Sequence, residues 1–212
     1  FLLICHFYTT TENSLNQTAG RTSVTKEEAP RVALTFDDGP NAKYTPLLLD
    51  GLRKRNIHAT FFLLGENILK NEELLLRMQK DGHLIGCHTW SHVQLDKISP
   101  SSANREILKT NSLIYHITGT YPTCLRPPYG AWKKDLELPV TMLPVFWDVD
   151  TLDWQSQNPE SILDIVRQNV QDGSIILMHD SYDSSVRAAL AITDELTEKG
   201  YDFVTADQLL DP

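Results

Sequence analysis

The chain is 212 residues long, room for one good-sized core and little for two, with 41% hydrophobic and 22% charged residues; this is ordinary globular usage and excludes a disordered or fibrous chain. A formal net charge of -9 argues against nucleic acid as a partner, because phosphate backbones are held by a positive footprint. Three cysteines, Cys5, Cys87 and Cys124, are too few and too scattered for a disulfide framework or a CxxC zinc site.

The opening FLLICHFYTT is apolar but only about half the length that a bilayer-spanning helix needs. It reads as the trimmed end of an export signal or membrane anchor, and equally as a short strand packed on the domain. The polar, Ser- and Thr-rich run that follows, closed by Pro30, reads as a tether. Residues 1–30 are therefore expected to form a tail and residues 31–212 the domain proper.

From Arg31 onward, short apolar runs alternate with amphipathic ones. RVALTF (31–36), ATFFLL (59–64), HLIGC (83–87), PTCLR (122–126), PVFWDV (144–149) and SIILMH (174–179) predict buried strands. The runs 43–56, 71–82, 101–119, 159–170 and 185–200 carry apolar residues at helical spacing. Gly82 stops the second of these helices, Ser101 or Ser102 caps the third, and Gly119 ends it. YDFVTADQLL (201–210) adds a closing strand and a short helix. Seven strand-helix alternations predict parallel strands with crossover helices, an α/β fold built as an open sheet or a barrel.

Unusual polar residues stand where the apolar strands stop: Asp37 and Asp38, His88, Arg126, Asp148 to Asp153, and His179 with Asp180. C-terminal strand ends of parallel α/β folds share one rim, where sites are built, so these clusters are expected to converge. Strand side chains alternate, so Cys87 should point away from His88 while Cys124 shares a face with Arg126. The two thiols then diverge and form no bridge.

HTWSH (88–92) puts two imidazoles four residues apart, able to aim at one ion from a helical turn or a tight loop. It lacks the glutamate base of HExxH metalloproteases, so the base must come from elsewhere. The aspartate pair of TFDDGP can supply it, one carboxylate holding a cation and its neighbour serving as general base; the alternative is an Asx-type turn. Arg126 of RPPYG can hold a carboxylate bidentately, and the backbone N–H of Tyr129 can face an oxyanion. His179 of ILMHD is a candidate general acid with Asp153 of DVDTLDW as its partner, beside an apolar wall of Trp154 and Leu177. Taken singly, each motif also reads as a turn, a cap or a core histidine; together they supply ligands, base, orienting Arg, acid and wall on one rim.

These five motifs, in this order, resemble those of the polysaccharide deacetylase family, the NodB-homology or carbohydrate esterase family four, over roughly Arg31 to Leu210. The resemblance implies a single-domain distorted (β/α) barrel with about seven parallel strands. It implies that Asp37 is the catalytic base, that Asp38, His88 and His92 are metal ligands, and that His179 is the catalytic acid. Arg126 would orient Asp37, Asp153 would pair with His179, Tyr129 would bind the oxyanion, and Trp154 with Leu177 would line the acetyl pocket. The cofactor is expected to be a divalent metal, zinc first and then cobalt or nickel. The DVDTLDWQSQN segment is most like bacterial peptidoglycan N-acetylglucosamine deacetylases, which would place the protein outside the cell or in the wall, with an N-terminal anchor in the full-length protein. Chitooligosaccharide deacetylation, acetylxylan esterase activity and glycan binding without turnover are the competing expectations.

Overall fold

The computed structural model describes residues 28–132, 136–138 and 140–210. The apolar opening run, most of the tether and Cys5 lie outside the described residues. Eight strands form among the described residues: β1 Arg31–Asp37, β2 Thr60–Leu63, β3 Leu84–Cys87, β4 Cys124–Leu125, β5 Leu143–Pro144, β6 Val149–Asp150, β7 Ser174–His179 and β8 Asp202–Phe203. Seven of them run in the order β5-β4-β3-β2-β1-β7-β6, with β8 pairing the start of β1. Every pairing is parallel. The result is a single domain with a curled, half-barrel sheet.

The expected strand over 144–149 is in fact two short ones at opposite edges of this sheet. Pro144 has no N–H to donate to a ladder. The carbonyls of Val145 and Phe146 accept from the Arg126 side chain at 3.3 and 3.1 Å, which bends residues 145–148 out of a regular strand. On one side Val145 N–H donates to Leu125 O at 2.8 Å, and on the other Asp148 N–H donates to Ile175 O at 2.9 Å. Four residues of chain thus join the two edges of the curl.

Alternation along β1 sorts its side chains. Val32, Leu34 and Phe36 face outward into a buried cluster with the helices, and Ala33 faces the barrel interior with Phe62, Cys124, Val145, Ile175 and Ala206. Helix α1 (Thr45–Lys54) contributes Leu48, Leu49 and Leu52 to the outer cluster, all fully buried, each stabilising the packing by about 1.5–3 kcal/mol. Helices α3 (Glu72–Lys80), α6 (Pro159–Asn169) and α7 (Asp183–Glu198) add their apolar stripes to the same cluster. Helix α4 (Pro100–Thr118) covers β3, where Cys87 packs with Ala103 and Ile107. Cys87 therefore lies outside the barrel and Cys124 inside, and both are free thiols.

The α4 cap falls earlier than Ser101 or Ser102. Ser99 is the N-cap and its Oγ accepts from Ser102 N–H at 3.2 Å, because Pro100 is suited to the first helical position, where its missing N–H is no loss. Gly119 ends the helix at φ 72°, a left-handed conformation that costs glycine little. Three one-turn helices without a full apolar period complete the fold: α2 Gly65–Ile68, α5 Asp153–Ser156 and α8 Ala206–Leu210. No helix among the described residues is long and apolar enough to cross a membrane.

Candidate active site

Neighbouring residues of a strand point to opposite faces, yet two adjacent carboxylates meet here. Asp37 ends β1 facing inward, buried to 3% exposure. Asp38 then takes φ 70°, a left-handed conformation that breaks the alternation. As a result Asp37 Oδ2 and Asp38 Oδ1 lie 3.7 and 3.5 Å from the same atom, His88 Nε2.

HTWSH is a tight loop, with Thr89 and His92 also at positive φ, 69° and 58°. His88 Nδ1 lies 2.7 Å from the carbonyl of Arg126; a carbonyl only accepts, so Nδ1 carries the proton and Nε2 presents a lone pair. Burial pulls the His88 pKa below its ordinary value, against the raising effect of Asp37 and Asp38, which favours the neutral ring. His92 Nδ1 lies 3.1 Å from the Tyr129 hydroxyl, and its Nε2 lies 3.3 Å from Asp38 Oδ1. The loop is pinned by Glu106 of α4, whose Oε2 accepts from Trp90 N–H, Ser91 N–H and Ser91 Oγ at 3.1, 2.9 and 3.0 Å.

Asp38, His88 and His92 offer three ligand atoms within 4.8 Å of one another. Asp38 Oδ1 is buried with no hydrogen-bond donor and faces an imidazole lone pair. Acceptors aimed at one another in a buried place are unfavourable without a cation between them. One carboxylate and two imidazoles, each histidine with its second nitrogen engaged, suit a divalent ion of borderline softness.

Arg126 is fully buried. Its Nη1 donates to Asp37 Oδ1 at 2.9 Å and to Thr35 Oγ1 at 2.7 Å, and its guanidinium lies over the Phe62 ring, 4.2 Å from the centroid. Across the cavity, Asp153 is buried and organises His179. Its Oδ1 lies 2.8 Å from His179 Nδ1, and its Oδ2 accepts from His179 N–H at 2.8 Å and from Ser185 Oγ at 2.6 Å. Burial lowers the His179 pKa, but the hydrogen bond and charge of Asp153, with Asp37 and Asp38, outweigh it and raise the value to about 9.

These groups border one cavity of about 480 Å³, lined also by Tyr129, Trp147, Asp150, Trp154 and Leu177. Asp37, Asp38, His88, His92, Tyr129, Trp154, Leu177 and His179 all line this cavity, with Arg126 and Asp153 directly behind it, whereas Asp148 of the expected rim lies lower, its Oδ2 accepting from Ile175 N–H at 2.9 Å near the start of β7. Of seven non-glycine residues at positive φ among the described residues, five stand here, namely Asp38, Thr89, His92, Tyr129 and Leu152, the concentration of backbone strain typical of functional sites. Glu106 and Ser185 carried no motif signal, each being one polar residue among others near the start of a helical run. Asp180 marked the rim without a role. It is fully buried, accepts from the Thr45 hydroxyl, and packs so close to Gly39 that an added Cβ there would meet its carboxylate at 2.7 Å.

The polysaccharide deacetylase family model matches residues 25–143. The peptidoglycan-N-acetylglucosamine deacetylase PgdA of Listeria monocytogenes is 38% identical over 203 residues, covering 93% of this chain and 44% of that protein. The peptidoglycan-N-acetylmuramic acid deacetylase PdaC of Bacillus subtilis is 44% identical over 178 residues, covering 84% of this chain and 38% of that protein. The chain thus spans less than half the length of these two relatives. A solved structure of peptidoglycan deacetylase PdaC from Bacillus subtilis aligns with a TM-score of 0.82 at 43% identity, over 85% of this chain and 90% of that one. With the matched model extending over more than half its length, this chain belongs to the polysaccharide deacetylase family.

Proposed function

We infer that the protein hydrolyses N-acetyl groups from N-acetylglucosamine residues of peptidoglycan, with residues 31–212 as the deacetylase domain. The observation that carries this reading is the convergence on one cavity of a carboxylate held by a buried guanidinium, a three-residue ligand cluster and a carboxylate-paired histidine.

Asp37 is the general base. Arg126 occupies its Oδ1, leaving Oδ2 on the side of the ligand cluster. Asp38, His88 and His92 would hold the cation, zinc in preference to cobalt or nickel. When bound, it would supply Lewis acidity, polarising the acetamide carbonyl and lowering the pKa of water. Asp37 takes a proton from the water that attacks the acetyl carbon. The Tyr129 N–H meets the charge that develops on oxygen, and Trp154 and Leu177 enclose the acetyl methyl. His179, its Nδ1 engaged by Asp153, gives the Nε2 proton to the amine nitrogen as the C–N bond breaks, yielding acetate and a free amine.

Acting on that substrate would put the protein at the cell wall, outside the membrane. Acetate release measured on peptidoglycan, chitooligosaccharides and acetylxylan tests the reading. Peptidoglycan should be the preferred substrate, chelation should abolish release, and elemental analysis should find one divalent ion per chain. Asp37→Asn should lower turnover by about 10²–10⁴-fold, the usual contribution of a positioned base. Full activity in metal-free protein, or acetylxylan as the preferred substrate, would overturn it.

A further inference from the structure

The relatives named above act on two different sugars, N-acetylglucosamine and N-acetylmuramic acid, which differ by a lactyl ether that carries a carboxylate when no peptide is attached. Charge bookkeeping in the cavity bears on that choice. Asp37 is matched by Arg126 at 2.9 Å and His179 by Asp153 at 2.8 Å, while Asp38 belongs to the ligand cluster. Asp150 lines the same cavity and forms no ion pair among the described residues. It is held in place by its own backbone: Oδ1 accepts from Leu152 N–H at 3.0 Å, in a turn where Leu152 adopts φ 52°. Trp147 and Trp154 line the cavity with it. An uncompensated carboxylate among aromatic rings is the chemistry that recognises a neutral sugar, with rings covering C–H faces and the carboxylate accepting from hydroxyls. The same carboxylate repels an anionic substituent.

We propose that Asp150 is a specificity-determining residue: it accepts a hydroxyl of a neutral N-acetylhexosamine and turns away sugars bearing a free acid, such as N-acetylmuramic acid stripped of its peptide. This rests on the deacetylase reading above and deepens it.

The test uses peptide-stripped glycan strands, with mass spectrometry reporting which sugar loses its acetyl group. The unmodified protein should favour N-acetylglucosamine. Asp150→Asn keeps an acceptor for the Leu152 N–H and removes the charge, so it should narrow the ratio of kcat/KM values between the two sugars by roughly tenfold, the scale of one like-charge contact across a solvated cavity. Asp150→Ala should in addition raise KM for neutral chitooligosaccharides. A third arm needs no variant: raising salt should lift the muramic acid rate relative to the glucosamine rate through screening. An unchanged ratio in both variants and in high salt, with acetate release retained, would overturn the selector role alone. No acetate release from any glycan by the metal-loaded protein would overturn the deacetylase reading together with it.

Discussion

Moving an ion from water into a protein interior carries an effective penalty of several kcal/mol, and Arg126 is buried completely. It is accommodated because each of its three side-chain nitrogens finds an acceptor, in Asp37, Thr35, Val145 and Phe146, while its flat face covers Phe62. Its main chain has a separate task, since the Arg126 carbonyl sets the His88 tautomer. Arg126→Met should therefore cost about 3–5 kcal/mol in a denaturation experiment by stranding Asp37, and should abolish acetate release even where the fold survives. The His179–Asp153 pair governs pH dependence. In the proposed role of general acid His179 must carry a proton, so activity should fall as pH rises through its pKa, near 9 without a neighbouring cation. Asp153→Asn should move that alkaline limb toward the ordinary histidine value, about 6.5. Because the folded value is raised, the pair's stabilising contribution is full below about pH 6.5 and is lost as pH rises through about 9, which denaturant midpoints across that range would record.

At the scale of elements, the ligand loop between β3 and α4 depends on a helix that touches no reacting atom. Glu106 satisfies two backbone N–H groups and one hydroxyl of the HTWSH turn, and Asn67 Nδ2 donates to the Asp38 carbonyl at 2.8 Å on the facing loop. Glu106→Ala should weaken metal affinity or activity by about 10–100-fold, as is usual for groups that orient ligands; titration with zinc and an acetate assay would measure both. The strands and long helices were legible because continuous apolar runs and full 3.6-residue periods leave little alternative. The site was legible because the rim of a parallel sheet gathers strand-end residues such as Asp37 and His179. Less could be read where tertiary partners decide. The 144–149 run breaks because Arg126 draws in its carbonyls, and nothing local announces that. Helices α2 and α5 are single turns too short to show a period, and Glu106 and Ser185 gain meaning only from what lies across from them.

Over the whole molecule, the barrel interior changes from apolar at the level of Ala33 and Ile175 to charged at the level of Asp37 and His179. Below the rim, Asp180 tethers the end of β7 to the start of α1 through the Thr45 hydroxyl. Burial raises the Asp180 carboxyl to about 7, outweighing the lowering effect of that hydrogen bond. The folded state then holds this proton more tightly than the unfolded chain, so between about pH 4 and pH 7 this group makes stability fall as pH rises. Asp180→Asn should flatten that decline, as seen in denaturant midpoints at about pH 5 and about pH 7. The seam at residues 145–148 has a different reach. Asp37, Asp38, His88 and His179 stand on or just past strands locked by ladders, whereas Trp147, Asp150 and Trp154 sit on or beside the covalent stitch between the sheet's two edges. Under the proposed function, the wall that would meet a glycan can be retailored by insertion or exchange there while Asp37, Asp38, His88 and His179 keep their alignment, a division of labour that would let one hydrolytic engine be refitted to many glycans.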